Sequence, residues 1–430
     1  MRSMISTQLP TIIVFLALSA ILSPVPAQKC IDQPNPFKPY DFTRVDCKLV
    51  TERSVAKRDN YVNDTTTTNM FEIAEFHCTG NNTALCDNMK KSFETAGQMI
   101  SQVFCLKTPI KLNVSCLDFC NGLSDCSDER FIDLGFARPV RSMLMQDDDG
   151  VTRFYPQALV KQYQMQTHPE FTSIDITATF NTQVKWWFRQ DQRQIGEKEF
   201  DFLTVCLHEL FHGLGFQSYW SDWLNPSNAS EALTPYPIIS LDPKGSGLVI
   251  FDGFHEHGFD KYLITLPSGQ RVSDFNKQLN KFAGGPGAKF ANVTDFISQF
   301  RASPQYEIAK EMLKKAIIAD DLGFLPQGVS NVSDCAIMET SINPYALGSN
   351  LEHLSEKHYA NSSDFLMVFR YKTNQTLEDQ EKRSGNLCFG AIGPKLRLIM
   401  QTLGYCTSNN SAPYQPTLPP FDPLAGPLGG

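Results

Sequence analysis

The chain has no excess of basic charge, no internal repeat, few histidines, and no apolar run beyond its first thirty residues long enough to cross a bilayer. Its 38 Lys and Arg against 46 Asp and Glu leave a net charge of −8, which argues against a nucleic-acid or anionic-membrane surface as partner. Spanning a bilayer takes about 17 to 25 apolar residues, and no later segment qualifies. The C-terminal stretch from Ser408 to Gly430 is rich in Pro and Gly but lacks the apolar end of a lipid-anchor signal. With 42% hydrophobic residues and 31 Phe, the chain is neither disordered nor fibrous. Its 430 residues are enough for two or three domains, or for one domain carrying insertions.

What is present points to export. After Arg2 an apolar stretch runs from Ile12 to Leu22, and small residues follow at Val25 and Ala27, so residues 1–27 read as a secretory signal rather than a membrane anchor. The expected mature protein is soluble, secreted and extracellular. Nine Asn-x-Ser/Thr sequons, at Asn63, Asn81, Asn113, Asn228, Asn292, Asn331, Asn361, Asn374 and Asn409, agree with that route and with a glycoprotein. Twelve cysteines fit an oxidising compartment, and eight of them fall in the first third of the chain. The dibasic Lys57-Arg58 reads either as a processing site, which makes residues 28–58 a candidate propeptide of a zymogen, or as an ordinary surface pair. Cys30 and Cys47 inside that segment are expected as a disulfide, the alternative being a thiolate that occupies a metal site until processing.

Periodicity places a helix over Asp87–Phe104, with Met89, Phe93, Ala96, Met99, Ile100 and Val103 on one face. Ile110–Val114 and Ile174–Phe180 alternate as strands. Cys116-x3-Cys120 has no histidine nearby, so disulfides are expected there rather than a zinc site. The Trp186-Trp187-Phe188 cluster is expected as core or pocket wall.

The chemistry lies in Asp201–Phe216, which has the periodicity of a buried helix. His208 and His212 are four residues apart and so project from one face, where they can share a metal ion. Glu209 lies beside the first ligand, placed to reach a water on the metal without itself ligating. With eight histidines in the chain, His-Glu-x-x-His arises by chance in roughly one such sequence in a hundred. Two unpaired histidines in so apolar a segment would be costly to bury. A catalytic zinc needs a third protein ligand. His77 and His168 lie far upstream, while His255, His257, His353 and His358 lie downstream; a carboxylate ligand, Glu231, is the alternative chemistry.

The string HELFHGLGF, with EHLSE and DFLMV far downstream, resembles the metzincin metallopeptidases of the leishmanolysin type, and the likeness runs from about Phe71 to Cys406. The resemblance implies an α+β, zincin-like bilobed fold with a mixed-sheet upper lobe, an active-site helix and an irregular lower lobe. It makes residues 59–407 one catalytic unit, with a Cys-rich N-terminal lobe to about 216, a lower lobe with a long insertion over 217–407, and a disordered tail over 408–430. Ser218 stands where a compact metzincin motif has its third histidine. By position His208, His212 and His353 become the Zn²⁺ ligands, Glu209 the general base and Met367 the Met-turn residue, with 353 − 212 = 141 residues separating the last two ligands. The implied activity is a secreted zinc endopeptidase, a monomer acting on protein or peptide substrates, with no nucleic acid and no membrane anchor. An extended substrate is expected to pair with Ile174–Phe180, and Tyr371 is a candidate oxyanion donor. The alternatives are a secreted zinc-binding or adhesive protein without catalysis, in which Glu209 would have no task, and a zinc hydrolase acting on a non-peptide amide.

Overall fold

Helix α1 (Thr83–Val103) begins one turn earlier than its apolar stripe, because Asn82 caps it by accepting from the Leu85 amide at 3.0 Å. Its buried face carries Met89, Phe93, Ala96, Ile100 and Val103, the stripe read from the sequence except for Met99, which is half-buried. The Cys78–Cys86 disulfide ties its first turn to the preceding strand. The computed structural model describes residues 27–420 apart from 34, 36, 39–40, 53–67, 80–81, 122–131, 226–228, 243 and 386–387. The export signal up to residue 26, Lys57-Arg58 and Cys126 lie outside the described residues.

The fold is α+β. Strands β1 (Ala27–Asp32), β2 (Thr43–Thr51), β3 (Phe71–Cys78), β4 (Ile110–Leu117), β5 (Gly135–Pro139), β6 (Arg141–Gln146), β7 (Thr152–Pro156), β8 (Thr167–Pro169) and β9 (Ile176–Asn181) form two sheets. The first has the order β3-β4-β9-β5, parallel except for β5, which runs antiparallel along the edge. Every residue of β9 is buried. The expectation that Ile174–Phe180 pairs with substrate is therefore corrected: that strand is interior, bonded to β4 on one side and β5 on the other, and β5 holds the edge. Trp186 is core, as expected, with its ring 5.0 Å from that of Phe202.

The second sheet is antiparallel with the order β7-β6-β1-β2-β8, so β1 occupies its centre. Residues 28–58, the candidate propeptide, thus contribute two of five strands. Cys30 and Ile31 are 1% exposed, Asp32 takes a two-pronged ion pair from Arg141 at 2.6 and 2.7 Å, and Cys30 is joined to Cys47. Paired in this way, as expected, neither Cys30 nor Cys47 offers a thiolate to a metal site. Cys116, expected in a disulfide, is instead a buried thiol on β4, whereas Cys120 is disulfide-bonded.

Short α2 (Gln157–Val160) follows β7, and α3 (Phe202–Gly213) comes after β9. Beyond α3, strands Tyr236–Leu241, Val249–His255 and Ala288–Phe290 form a third sheet covered by α4 (Val272–Leu279), α5 (Val293–Arg301) and α6 (Pro304–Ala316). Phe251, Phe254, Phe282, Phe290, Phe296 and Phe300 fill this insertion with rings 4.9 to 6.3 Å apart. The insertion is fastened to β7 by Arg153, which is fully buried and pairs with Asp147 at 2.8 Å and with Glu256 at 2.9 Å. The chain closes with α7 (Glu356–Tyr359), α8 (Leu377–Arg383) and α9 (Pro394–Leu403), and one continuous apolar core runs from Cys30 to Tyr405. Among the described residues no helix is long and apolar enough to cross a membrane.

The tail, expected to be disordered from residue 408, is held over its described part. Tyr414 donates to Asp147 at 2.7 Å and lies 4.1 Å beneath the Lys261 ammonium, and Thr417 bridges to Gln146.

Two outcomes follow. After a cut engineered behind Arg58, residues 28–58 co-elute with the body of the protein on size exclusion, because β1 is hydrogen-bonded on both edges; a body that elutes without them contradicts the sheet order. Arg153→Ala, which removes the cation paired with buried Glu256, lowers unfolding stability by about 3–5 kcal/mol in urea titrations, whereas a surface arginine change costs under about 1 kcal/mol.

Candidate metal centre

Asp201 starts α3: its carboxylate accepts from the Leu203 amide at 2.9 Å and from the Leu377 amide at 2.7 Å. Burial nonetheless pushes its carboxyl up to about 6. All twelve residues of α3 are buried. Close approach to the sheet depends on Gly213, where a Cβ would sit 2.4 Å from a methyl of Ile176. The helix ends in a Schellman turn: Gly215 takes φ +108°, its amide donates to His212 O, and the Phe216 amide reaches back to Phe211 O at 3.0 Å. The carbonyl of Phe216 is thereby returned to the helix, where the His212 ring contacts it through Nδ1 at 2.7 Å.

The third histidine arrives from a separate segment. His353 lies on an extended stretch whose neighbours are laced to Glu339, with Glu339 N donating to His353 O and Leu351 N to Glu339 O. Leu351 adopts φ +68°, a left-handed conformation uncommon for a residue with a branched side chain, just before the ligand. The Leu354 amide donates to Met367 O at 2.7 Å, so this segment is stitched to the turn Phe365–Met367. Met367 is fully buried in that turn, and the preceding carbonyl, Leu366 O, lies 2.7 Å from His208 Nδ1.

These contacts fix the chemistry of the three rings. His208, His212 and His353 each place Nδ1 on a backbone carbonyl, of Leu366, Phe216 and Ser349 respectively, the last at 3.1 Å. A carbonyl only accepts, so Nδ1 carries the proton and Nε2 presents a bare lone pair. The three Nε2 atoms lie 3.0, 3.1 and 3.3 Å from one another. Between such tautomers no hydrogen bond can form, and three converging lone pairs repel unless a cation stands among them. Nitrogens about 2.0–2.1 Å from a tetrahedral metal are about 3.3 Å apart, which matches the observed separations. The donor set therefore fits a divalent metal ion. Among the described residues this is the cluster that can hold one, and no fourth His, Cys, Asp or Glu joins it.

Burial lowers the His208 imidazole to about 4 and holds His212 and His353 well below the usual imidazole range, with the neighbouring rings adding to the effect. Glu209 lines the same cleft, of about 920 Å³, and its Oε2 accepts from the Ala137 amide at 3.0 Å. Burial pushes its carboxyl up to about 8, opposed by that amide and by Arg138. Tyr371 packs edge-on against His208 with ring centroids 5.0 Å apart, and its hydroxyl is buried without a hydrogen-bond partner.

The other candidates are occupied elsewhere. His255 and His257 flank Glu256, whose carboxylate is committed to Arg153; that turns their segment toward the insertion core. His358 pairs with Asp320 at 2.8 Å, and Glu231 is exposed and accepts from Tyr306. Ser218 donates to buried Asp260 at 2.7 Å. His168 stacks on Phe171, and His77 lies on β3. Sequence reasoning missed the ion pair of Arg138, on β5, with Glu352 beside the third ligand, at 3.4 Å. The only signal for it was the Glu preceding His353.

An α+β chain thus brings two histidines of one helical turn and a distant third to one point, beside a buried carboxylate in an open cleft. The chain belongs to the family described as SPBPB7E8-like, whose profile matches residues 30–426. A relative, the uncharacterized protein PB7E8.01 of Schizosaccharomyces pombe, is 27% identical over 396 residues, which cover 87% of this chain and 67% of that protein. No solved structure matches the chain.

The tautomers predict the pH dependence of metal uptake. A depressed imidazole pKa favours the neutral ring, so protons compete for these ligands only as pH falls toward 4. Zn²⁺ titrated into the metal-free chain binds at pH 6 within about tenfold of its affinity at pH 8, whereas three free imidazoles at 6.5 would lose about 70-fold. The larger loss would contradict the buried, neutral triad.

Proposed function

We propose that the protein is an exported zinc-dependent endopeptidase of the metzincin type, with His208, His212 and His353 as ligands and Glu209 as general base. The observation that carries the reading is the convergence of three lone pairs beside a carboxylate, with three side-chain ligands and no fourth among the described residues, since structural zinc sites are usually closed by four. Zn²⁺ in this position supplies Lewis acidity, which activates water and polarises a carbonyl.

The chain's own groups do the rest. Glu209, oriented by the Ala137 amide, takes the proton of the attacking water and passes it to the departing amine. The Tyr371 hydroxyl, unpartnered and against His208, donates to the oxygen that gains charge. Strand β5 seats the substrate. Leu134 O accepts from Asn181 N and Val140 N donates to Asp175 O, so the even-numbered residues of this stretch bond inward. Gly135 and the Ala137 carbonyl then face the cleft, the Ala137 amide being committed to Glu209, and an extended peptide can add there as a further strand. Export is supported by the apolar N-terminus and by cysteines already paired in the fold.

Casein-type hydrolysis by the zinc-loaded chain falls at least about a thousandfold in Glu209→Gln while zinc content stays at one per chain. Tyr371→Phe lowers kcat by about a hundredfold with KM nearly unchanged. A Glu209→Gln variant that cleaves at the wild-type rate would sink the mechanism, and a wild type that binds zinc but cleaves no peptide would favour the non-catalytic alternative.

A further inference from the structure

Among the described residues Cys105, Cys116, Cys206, Cys335, Cys388 and Cys406 carry thiols. Two of them stand face to face. The chain leaves α1 through Phe104, whose backbone is extended, and leaves α9 through Gly404 at φ +125°. The two exits meet as an antiparallel bridge between Phe104 and Thr407, so the next residues in register, Cys105 and Cys406, are directly opposite. The Cys105 amide donates to Cys406 O at 3.0 Å. In such a hydrogen-bonded antiparallel pair the Cα atoms are about 5.5 Å apart, inside the range of about 4.4–6.8 Å that a disulfide spans. The Cys406 side chain also meets that of Cys105, and burial first, then this neighbour, push its thiol up to about 12.

We propose that Cys105 and Cys406 are joined as a disulfide in the mature protein. The step is a two-stage exchange with a disulfide donor, such as an oxidoreductase disulfide or glutathione disulfide. Cys105, the more exposed thiol, attacks as thiolate and forms a mixed disulfide, releasing one donor thiol; Cys406 Sγ then displaces the second. The protein loses two protons and two electrons, and the donor gains both electrons as two thiols.

The bond would close a loop that holds the whole candidate metal centre, because all three histidines lie between its ends. It also sits one layer beneath α3. The Phe104 ring is 6.2 Å from Phe211 and 6.0 Å from Tyr405, and the Tyr405 hydroxyl donates to Leu214 O at 2.8 Å, at the cap of the metal helix. The link therefore pins the turn whose Phe216 carbonyl holds His212. The other thiols are placed differently: Cys116 is on β4, Cys206 within α3, Cys335 against Gly323 and Cys388 exposed after α8.

The test is peptide mapping of the full chain equilibrated in a reduced and oxidised glutathione buffer, alkylated and digested without reductant. The expected product is one linked peptide containing Cys105 and Cys406 that separates on reduction. Free, alkylated Cys105 and Cys406, or either one linked to another cysteine, overturns the proposal. As a second reading, Cys105→Ser, Cys406→Ser and the double variant lower the thermal midpoint by the same amount. Additive losses in the double variant would overturn it as well.

Discussion

The candidate centre depends on three backbone carbonyls. Leu366 O, Phe216 O and Ser349 O each hold the Nδ1 of one histidine, and that fixes where every Nε2 lone pair points. Each carbonyl belongs to a different piece of irregular chain: a single helical turn with a buried methionine, the Schellman turn after α3, and the loop before the third ligand. None of the three can shift without releasing a proton position on a ring. The rest of the fold can be understood as what keeps them still.

Two frameworks do so. On one side, α3 is pressed against the first sheet through Gly213 and anchored at its start by Asp201, which also fastens the Leu377 amide and so the segment leading into α8. On the other, the long insertion has its own phenylalanine core and is pinned to β7 by Arg153, a buried cation surrounded by Asp147, Asp149 and Glu256. The Arg138–Glu352 pair spans the cleft between β5 and the third ligand, holding the edge strand at a set height above the histidines. Buried ion pairs are weak sources of net stability. They are effective at fixing one arrangement against others, which is what a site assembled from distant segments requires.

Much of the site was legible because local geometry determines it. His208 and His212 share a helical face by spacing alone, and the stripe of α1 follows from a 3.6-residue period. His353 was reached through resemblance, across 141 residues in which nothing local points to it. Alternation at Ile174–Phe180 identified a strand but could not tell an interior strand from an edge, since both alternate when one face meets a helix. Phe254-His-Glu-His257 looked like a ligand run until the structure showed Glu256 serving Arg153. Composition could not show that the described part of the tail, to residue 420, docks through Tyr414 and Thr417. The carbonyl contacts of the three histidines are properties of turns, and no residue type in the sequence announces them.

The account rests on one mononuclear metal held by three imidazoles, and X-ray absorption at the zinc edge of the purified chain addresses it most directly. The spectrum predicted here shows one zinc per chain with three nitrogen scatterers of imidazole type at about 2.0–2.1 Å and a remaining light-atom ligand from solvent. A sulfur scatterer at about 2.3 Å, a fourth imidazole, or no stoichiometric zinc would contradict it.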